Sequence, residues 1–194
     1  MTAPTTTRRP HTGTDLALIA TFAALIAVCA ILPAVPFGAV GVPFTLQMFG
    51  VFLAGSVLGA RRGLLAVLLY LAVGTAGLPV FTQGTGGPAV WAGATLGYLV
   101  AFPIAALLVG AAASALARRR PPTFVVGTAV AAALVTALVV TPLGALGMSW
   151  RLGLGLGEAW ALATPYVVAD LVKGAVAAVV AGAVHRAFPQ VLRR

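Results

Sequence analysis

The stretch LALIATFAALIAVCAIL, from Leu16 to Leu32, runs 17 residues without a charged side chain. As a helix it rises about 26 Å, close to the roughly 30 Å of a bilayer's hydrocarbon core. The polar, basic residues before it give it the outline of a secretory signal. Further apolar blocks follow directly, so it reads as a first helix that is retained. Of 194 residues, 61% are hydrophobic and 8% charged, where a soluble domain is about a quarter charged. Mean hydropathy is +1.08. Such a chain cannot cover itself for water. Its solvent is lipid, and it reads as an all-α, multi-pass integral protein of the plasma membrane.

Pro33 and Pro36 close the first block. Further blocks run over Phe44–Ala60, Leu64–Gly77, Ala92–Ala117 and Thr123–Leu146, and a sixth from after Pro165 to Phe188. The reading is a polar tail over 1–14, one domain of six transmembrane helices over 15–188, and a basic tail over 189–194. The third block is too short to cross unaided. Residues 78–91, with Gly84-Thr85-Gly86-Gly87, then either fold back over a pocket or form a plain flexible loop.

The net charge of +9 lies in small clusters between apolar blocks, not on one face as nucleic-acid binding would need. Six spans put both termini on one side. Arg8, Arg9, Arg61, Arg62, Arg118, Arg119, Arg120, Arg186, Arg193 and Arg194 then share that side, and Arg151 alone falls opposite. By the positive-inside rule both termini are cytoplasmic. The outer loops, among them Gly147–Thr164 with its amphipathic stretch Leu156–Thr164, are where binding is to be sought.

Little chemistry is available. The single cysteine, Cys29, excludes an internal disulfide. His11 and His185 flank the first and last spans with no second ligand at metal spacing. The only lysine, Lys173, is not part of a P-loop, so this chain is no P-loop ATPase. Of the three acids, Asp15 reads as a helix cap, Glu158 lies in an outer loop, and Asp170 sits in the sixth span. Asp170 and Lys173 are three residues apart and share a helix face. Ionised groups at mid-membrane cost about 2.5–3.5 kcal/mol each on insertion scales, so this face turns inward and marks a functional site or a self-satisfied ion pair. With a helix beginning near Tyr166, the pair lies about 6 and 10 Å below its outer end. One anion, one cation and aromatic walls suit a small ligand bearing a carboxylate and an N–H group. Phe44, Phe81, Trp91 and Tyr98 are candidates for those walls or for an interfacial belt.

The stretches VPFTLQMF (Val42–Phe49), RRGLLAVLLY (Arg61–Tyr70), GLPVF (Gly77–Phe81), Gly97-Tyr98 and PYVVADLVK (Pro165–Lys173) together resemble the BioY family, the biotin-binding S components of energy-coupling factor (ECF) transporters. The resemblance covers about Leu16 to Arg186. It implies an S-component bundle that captures biotin from outside and delivers it with a transmembrane coupling protein and ABC-type ATPases, with no cofactor and no catalysis. It brings Asp170, Lys173, Tyr98, Gln47 and Thr45 to the site, beside Phe44 and Phe81. It also implies docking of the coupling protein on small residues of the first helix, at Ala20 and Ala24 or equally at Ala23 and Ala27. The chain departs from the family pattern at Gly93–Tyr98, where a Pro and a Gly are missing, and at Val168-Ala169 before Asp170. Another small vitamin as ligand, or a ligand-free structural subunit, are the alternatives.

Overall fold

The computed structural model describes residues 12–32 and 44–189. Helix α1 spans Thr12–Ile31, α2 Gln47–Leu58, α3 Ala60–Thr75 and α4 Leu96–Leu116. Helix α5, Pro121–Val135, continues through a π-helical turn, Thr136–Val140, into α6, Thr141–Leu152; α7 spans Leu156–Ala187. The described residues contain no strand; an isolated bridge joins Phe81 and Thr85. Four helical stretches are long and apolar enough to cross a membrane: Gly13–Ile31, Leu96–Leu116, Pro121–Leu152 and Leu156–Ala187. Helices α2 and α3, of 12 and 16 residues, are shorter.

Lipid is as apolar as the core, so these helices associate through close backbone approach. Helix α2 is the hub: every residue of it except Phe49 is buried, and it packs against α1, α3, α4 and α7. Glycines let its neighbours close in. A methyl group built on Gly55 would meet the Ala106 carbonyl oxygen at 2.5 Å, and one on Gly63 would meet the Gly55 Cα at 2.8 Å. Gly59, at φ 82°, turns α2 into α3. A methyl on Gly110 of α4 would lie 2.6 Å from its carbonyl carbon.

Charge separates along the bundle. Asp15 of α1 pairs with Arg62 of α3 at 3.1 Å. The α2–α3 turn and the α4 C-terminus meet at this end, and so do Ser56 and His185, at 3.0 Å. Arg61, Arg62, Arg118, Arg119, Arg120 and Arg186 therefore gather there, while Arg151 reaches the Ala92 carbonyl at the other end.

Several boundaries differ from the sequence reading. The last helix starts at Leu156, so Pro165 lies inside it and Leu156–Thr164 is its first turns, not an outer loop. Proline removes one backbone donor, a loss that a long membrane helix packed against its neighbours tolerates. Glu158 is accordingly in the first turn, where it accepts a hydrogen bond from the Gly155 N–H at 3.1 Å. The connection between the last two spans shrinks to residues 153–155, with Gly153 left-handed at φ 67°. The π turn lets α5 run into α6 despite Pro142, whose missing N–H would otherwise break the ladder. Arg61 and Arg62 belong to the first turn of α3, not to a loop. His185 is half-buried against Ser56, not solvated. His11 lies outside the described residues.

The glycine contacts set a test. Gly110→Ala forces backbone apart and is expected to cost about 1–3 kcal/mol. Gly157→Ala, with no atom within 4 Å of the added methyl, is expected to be neutral or slightly stabilising. Thermal unfolding of the detergent-purified variants checks this, and equal midpoints would contradict the packing described.

Candidate functional site

Asp170 and Lys173 occupy one face of α7, with Lys173 Nζ donating to Asp170 Oδ1 at 2.7 Å. Asp170 is only 6% exposed. From a helix that starts at Leu156 they lie about 21 and 26 Å along the axis, not 6 and 10 Å. The pair is thus deep in the bundle, near the middle of a 32-residue helix. A charge at that depth is held only by a partner and a polar cavity.

That cavity measures about 470 Å³, within the range of small-ligand sites. Its walls come from four segments. Helix α7 supplies Tyr166, Asp170 and Lys173; α4 supplies Tyr98, Leu99 and Phe102; the start of α2 supplies Thr45, Gln47 and Met48; residues 81–95 cover it. The aromatics are ordered by mutual contact. Phe44 stacks on Tyr166 at 4.6 Å and 16°, Tyr98 sits 6.1 Å from Tyr166, and the Lys173 ammonium lies 5.6 Å from the Phe44 ring centre. Two glycines seat two of the rings: a methyl on Gly144 would collide with Tyr98, and one on Gly74 with Phe81.

Gln47 is tied down by its own amide. Its Nε2 donates to Tyr70 Oη at 2.8 Å, and its Oε1 accepts from Thr82 Oγ1 at 3.3 Å. The start of α2 and the covering segment are thereby joined, and Tyr70 meets Phe81 edge-on at 5.4 Å. Thr45 Oγ1 accepts from the Gln47 N–H at 3.3 Å. Opposite, the buried Tyr98 hydroxyl has no hydrogen-bond partner among the described residues. Its ring tip packs over Gly144, so the ring and not the hydroxyl faces the cavity.

Six of the residues singled out from sequence line this one space: Thr45, Gln47, Phe81, Tyr98, Asp170 and Lys173. Phe44 stands behind the wall, against Tyr166 and Lys173. Trp91 turns away, its Nε1 donating to Thr75 Oγ1 at 2.9 Å, so it anchors the covering segment and does not line the cavity. Of the glycine-rich stretch, Thr85 and Gly86 reach the lining. Tyr166 was missed, although it precedes Asp170 by one helical turn and so shares its face. Tyr70, Thr82 and the seating glycines carry no signal in a single sequence. On α1, Ala20 and Ala24 are exposed while Ala23 is buried.

The BioY family model matches residues 4–190. The biotin transporter BioY of Rhizobium etli is 36% identical over 177 residues, 90% of this chain and 95% of that protein. The one from Rhodobacter capsulatus is 38% identical over 188 residues, 92% of this chain and 96% of that protein. A crystal structure of the S-component for biotin from an ECF-type ABC transporter superposes with a TM-score of 0.81 at 26% identity, covering 95% of both chains.

The ion pair makes a stability prediction of its own. Asp170→Ala strands the Lys173 ammonium, and Lys173→Ala strands the Asp170 carboxylate; each is expected to cost about 3–5 kcal/mol. Asp170→Leu with Lys173→Met removes both charges and is expected to cost less than either single change. Melting points in detergent decide it, and additive losses would show that the two charges are not coupled.

Proposed function

This chain belongs to the BioY family, and we propose that it captures biotin for an ECF-type transporter in the cavity that Asp170 and Lys173 line. One observation carries the reading: a salt-bridged Asp–Lys pair buried in the bundle opens onto a small-ligand cavity walled by aromatic rings. Biotin has a carboxylate at one end and, at the other, a fused ring with two ureido N–H donors and a carbonyl. In the proposed assignment Lys173 meets the carboxylate and Asp170 accepts from the ureido N–H groups. The rings of Tyr98, Tyr166 and Phe81 bracket the apolar body. Gln47 holds the covering segment through Thr82 and Tyr70 and acts as a positioning residue. The four-carbon arm of Lys173 lets its ammonium swing to the carboxylate, exchanging an internal pair for ligand contacts.

Six crossings with cytoplasmic termini and a cavity open to the outside fit the segregation of the arginines at one end of the bundle. Uphill transport then needs an energy source elsewhere, since the only lysine of the chain is Lys173 and no P-loop is present. The proposed source is a coupling protein with ABC-type ATPases. Ala20 and Ala24, small and exposed one turn apart on α1, are the proposed docking face for it, because small residues permit close helix approach.

Equilibrium binding of labelled biotin to the detergent-purified protein tests the site. Asp170→Asn and Lys173→Gln are each expected to weaken binding at least tenfold, as loss of a charged hydrogen bond of about 1.5–3 kcal/mol requires. Tyr98→Phe, which keeps the ring that faces the cavity, is expected to change it less than either charge variant. Affinity unchanged in both charge variants, with folding confirmed by melting point, would move the site elsewhere.

A further inference from the structure

A second, smaller cavity of about 140 Å³ opens at the arginine-rich end, more than a helix turn beyond the last residue of the biotin site on α7. Arg119 and Arg186 stand on its rim, Pro121 and Phe124 form one side, and Gly182 and His185 form the inner wall. The His185 ring packs edge-on against Phe124 at 5.2 Å. Its Nε2 lies 3.0 Å from the Ser56 carbonyl oxygen, which can only accept, so Nε2 carries the proton and donates. The neutral ring then presents Nδ1 as an acceptor, and this buried atom has no partner among the described residues.

The charge inventory points the same way. The whole chain has three acidic side chains. Asp15 holds Arg62, Asp170 holds Lys173, and Glu158 caps α7 at the opposite end. No carboxylate side chain of this protein remains to neutralise Arg118, Arg119, Arg120 and Arg186. The N-terminus of α5, whose dipole favours anions, starts at Pro121 beside the same cavity.

We propose that this cavity is a binding site for a phosphate-bearing anion, from a lipid headgroup or free in solution. Arg119 and Arg186 hold the phosphate against the wall that His185 and Phe124 form. Basic pockets between membrane helices take anionic headgroups in this way, each arginine near the surface adding about fivefold in affinity. The site is independent of the biotin cavity, so occupancy of one is readable while the other is intact.

Native mass spectrometry of the full-length protein, titrated with phosphatidylglycerol, phosphatidylcholine or inorganic phosphate, tests the proposal. Saturable binding of phosphatidylglycerol is expected, at least tenfold tighter than phosphatidylcholine. The double variant Arg119→Gln/Arg186→Gln is expected to weaken it about 25-fold, at fivefold per arginine. Arg118→Gln/Arg120→Gln removes the same charge from residues that do not line the cavity and is expected to change it less than about threefold. Retained biotin binding shows that each variant is folded. Displacement of the lipid by inorganic phosphate supports the phosphate site and identifies its ligand as a small free anion; resistance to displacement identifies a lipid. Equal losses in the two double variants, or no preference for phosphatidylglycerol, overturn the proposal, because either means a diffuse surface charge and not a site.

Discussion

Two opposite charges 2.7 Å apart in the middle of a lipid-embedded helix set the terms for everything around them. Neither is tolerable facing hydrocarbon, where each costs several kcal/mol. The face that carries them turns inward, and the neighbouring helices leave room for a polar cavity. A fully packed, fully paired site would be inert. Here Asp170 is almost wholly enclosed, while Lys173 borders open space. The pair is satisfied within the bundle and still borders the cavity.

Holding that cavity open requires precision from apolar parts. Helix α2, buried along nearly its whole length, is the post against which α1, α3, α4 and α7 stand. Glycines at its contacts bring backbones together at one end of the bundle. At the other, Gly74 and Gly144 give up their side chains so that Phe81 and Tyr98 fit as walls. The covering segment is fastened at four points: Gln47 to Thr82, Trp91 to Thr75, the Gly87 N–H to the Gly74 carbonyl, and Arg151 to the Ala92 carbonyl. These bonds connect short helices to the loop above the site and define the cavity roof.

Much of this was legible in the chain because membrane sequences write their constraints in few letters. Apolar blocks marked the helices, and two lone charges three residues apart marked the inward face of α7 that lines the cavity. Motif resemblance then gathered Thr45, Gln47 and Tyr98 to the same place, where the structure has them. What was not legible depended on partners distant in sequence. Pro165 reads as a helix stop, yet α7 runs through it, because packing in the bundle outweighs one missing donor. That misplacement made the pair look shallow by ten residues. Trp91 looks like a wall until Thr75 is found to hold its N–H. Asp15 does sit in the first turn of α1, but its pairing with Arg62, 47 residues away, has no local signal. No local pattern distinguishes Gly144, which seats a tyrosine, from Gly157, which touches nothing.

The central claim is that Lys173 reads the carboxylate of biotin. Calorimetric titration of biotin and of its uncharged methyl ester, against the unmodified protein and against Lys173→Met, measures that contact as a double cycle. The account predicts that esterification weakens binding at least tenfold in the unmodified protein and makes almost no difference in the variant. An ester penalty of the same size in both proteins would contradict it, since the carboxylate would then be recognised somewhere other than Lys173.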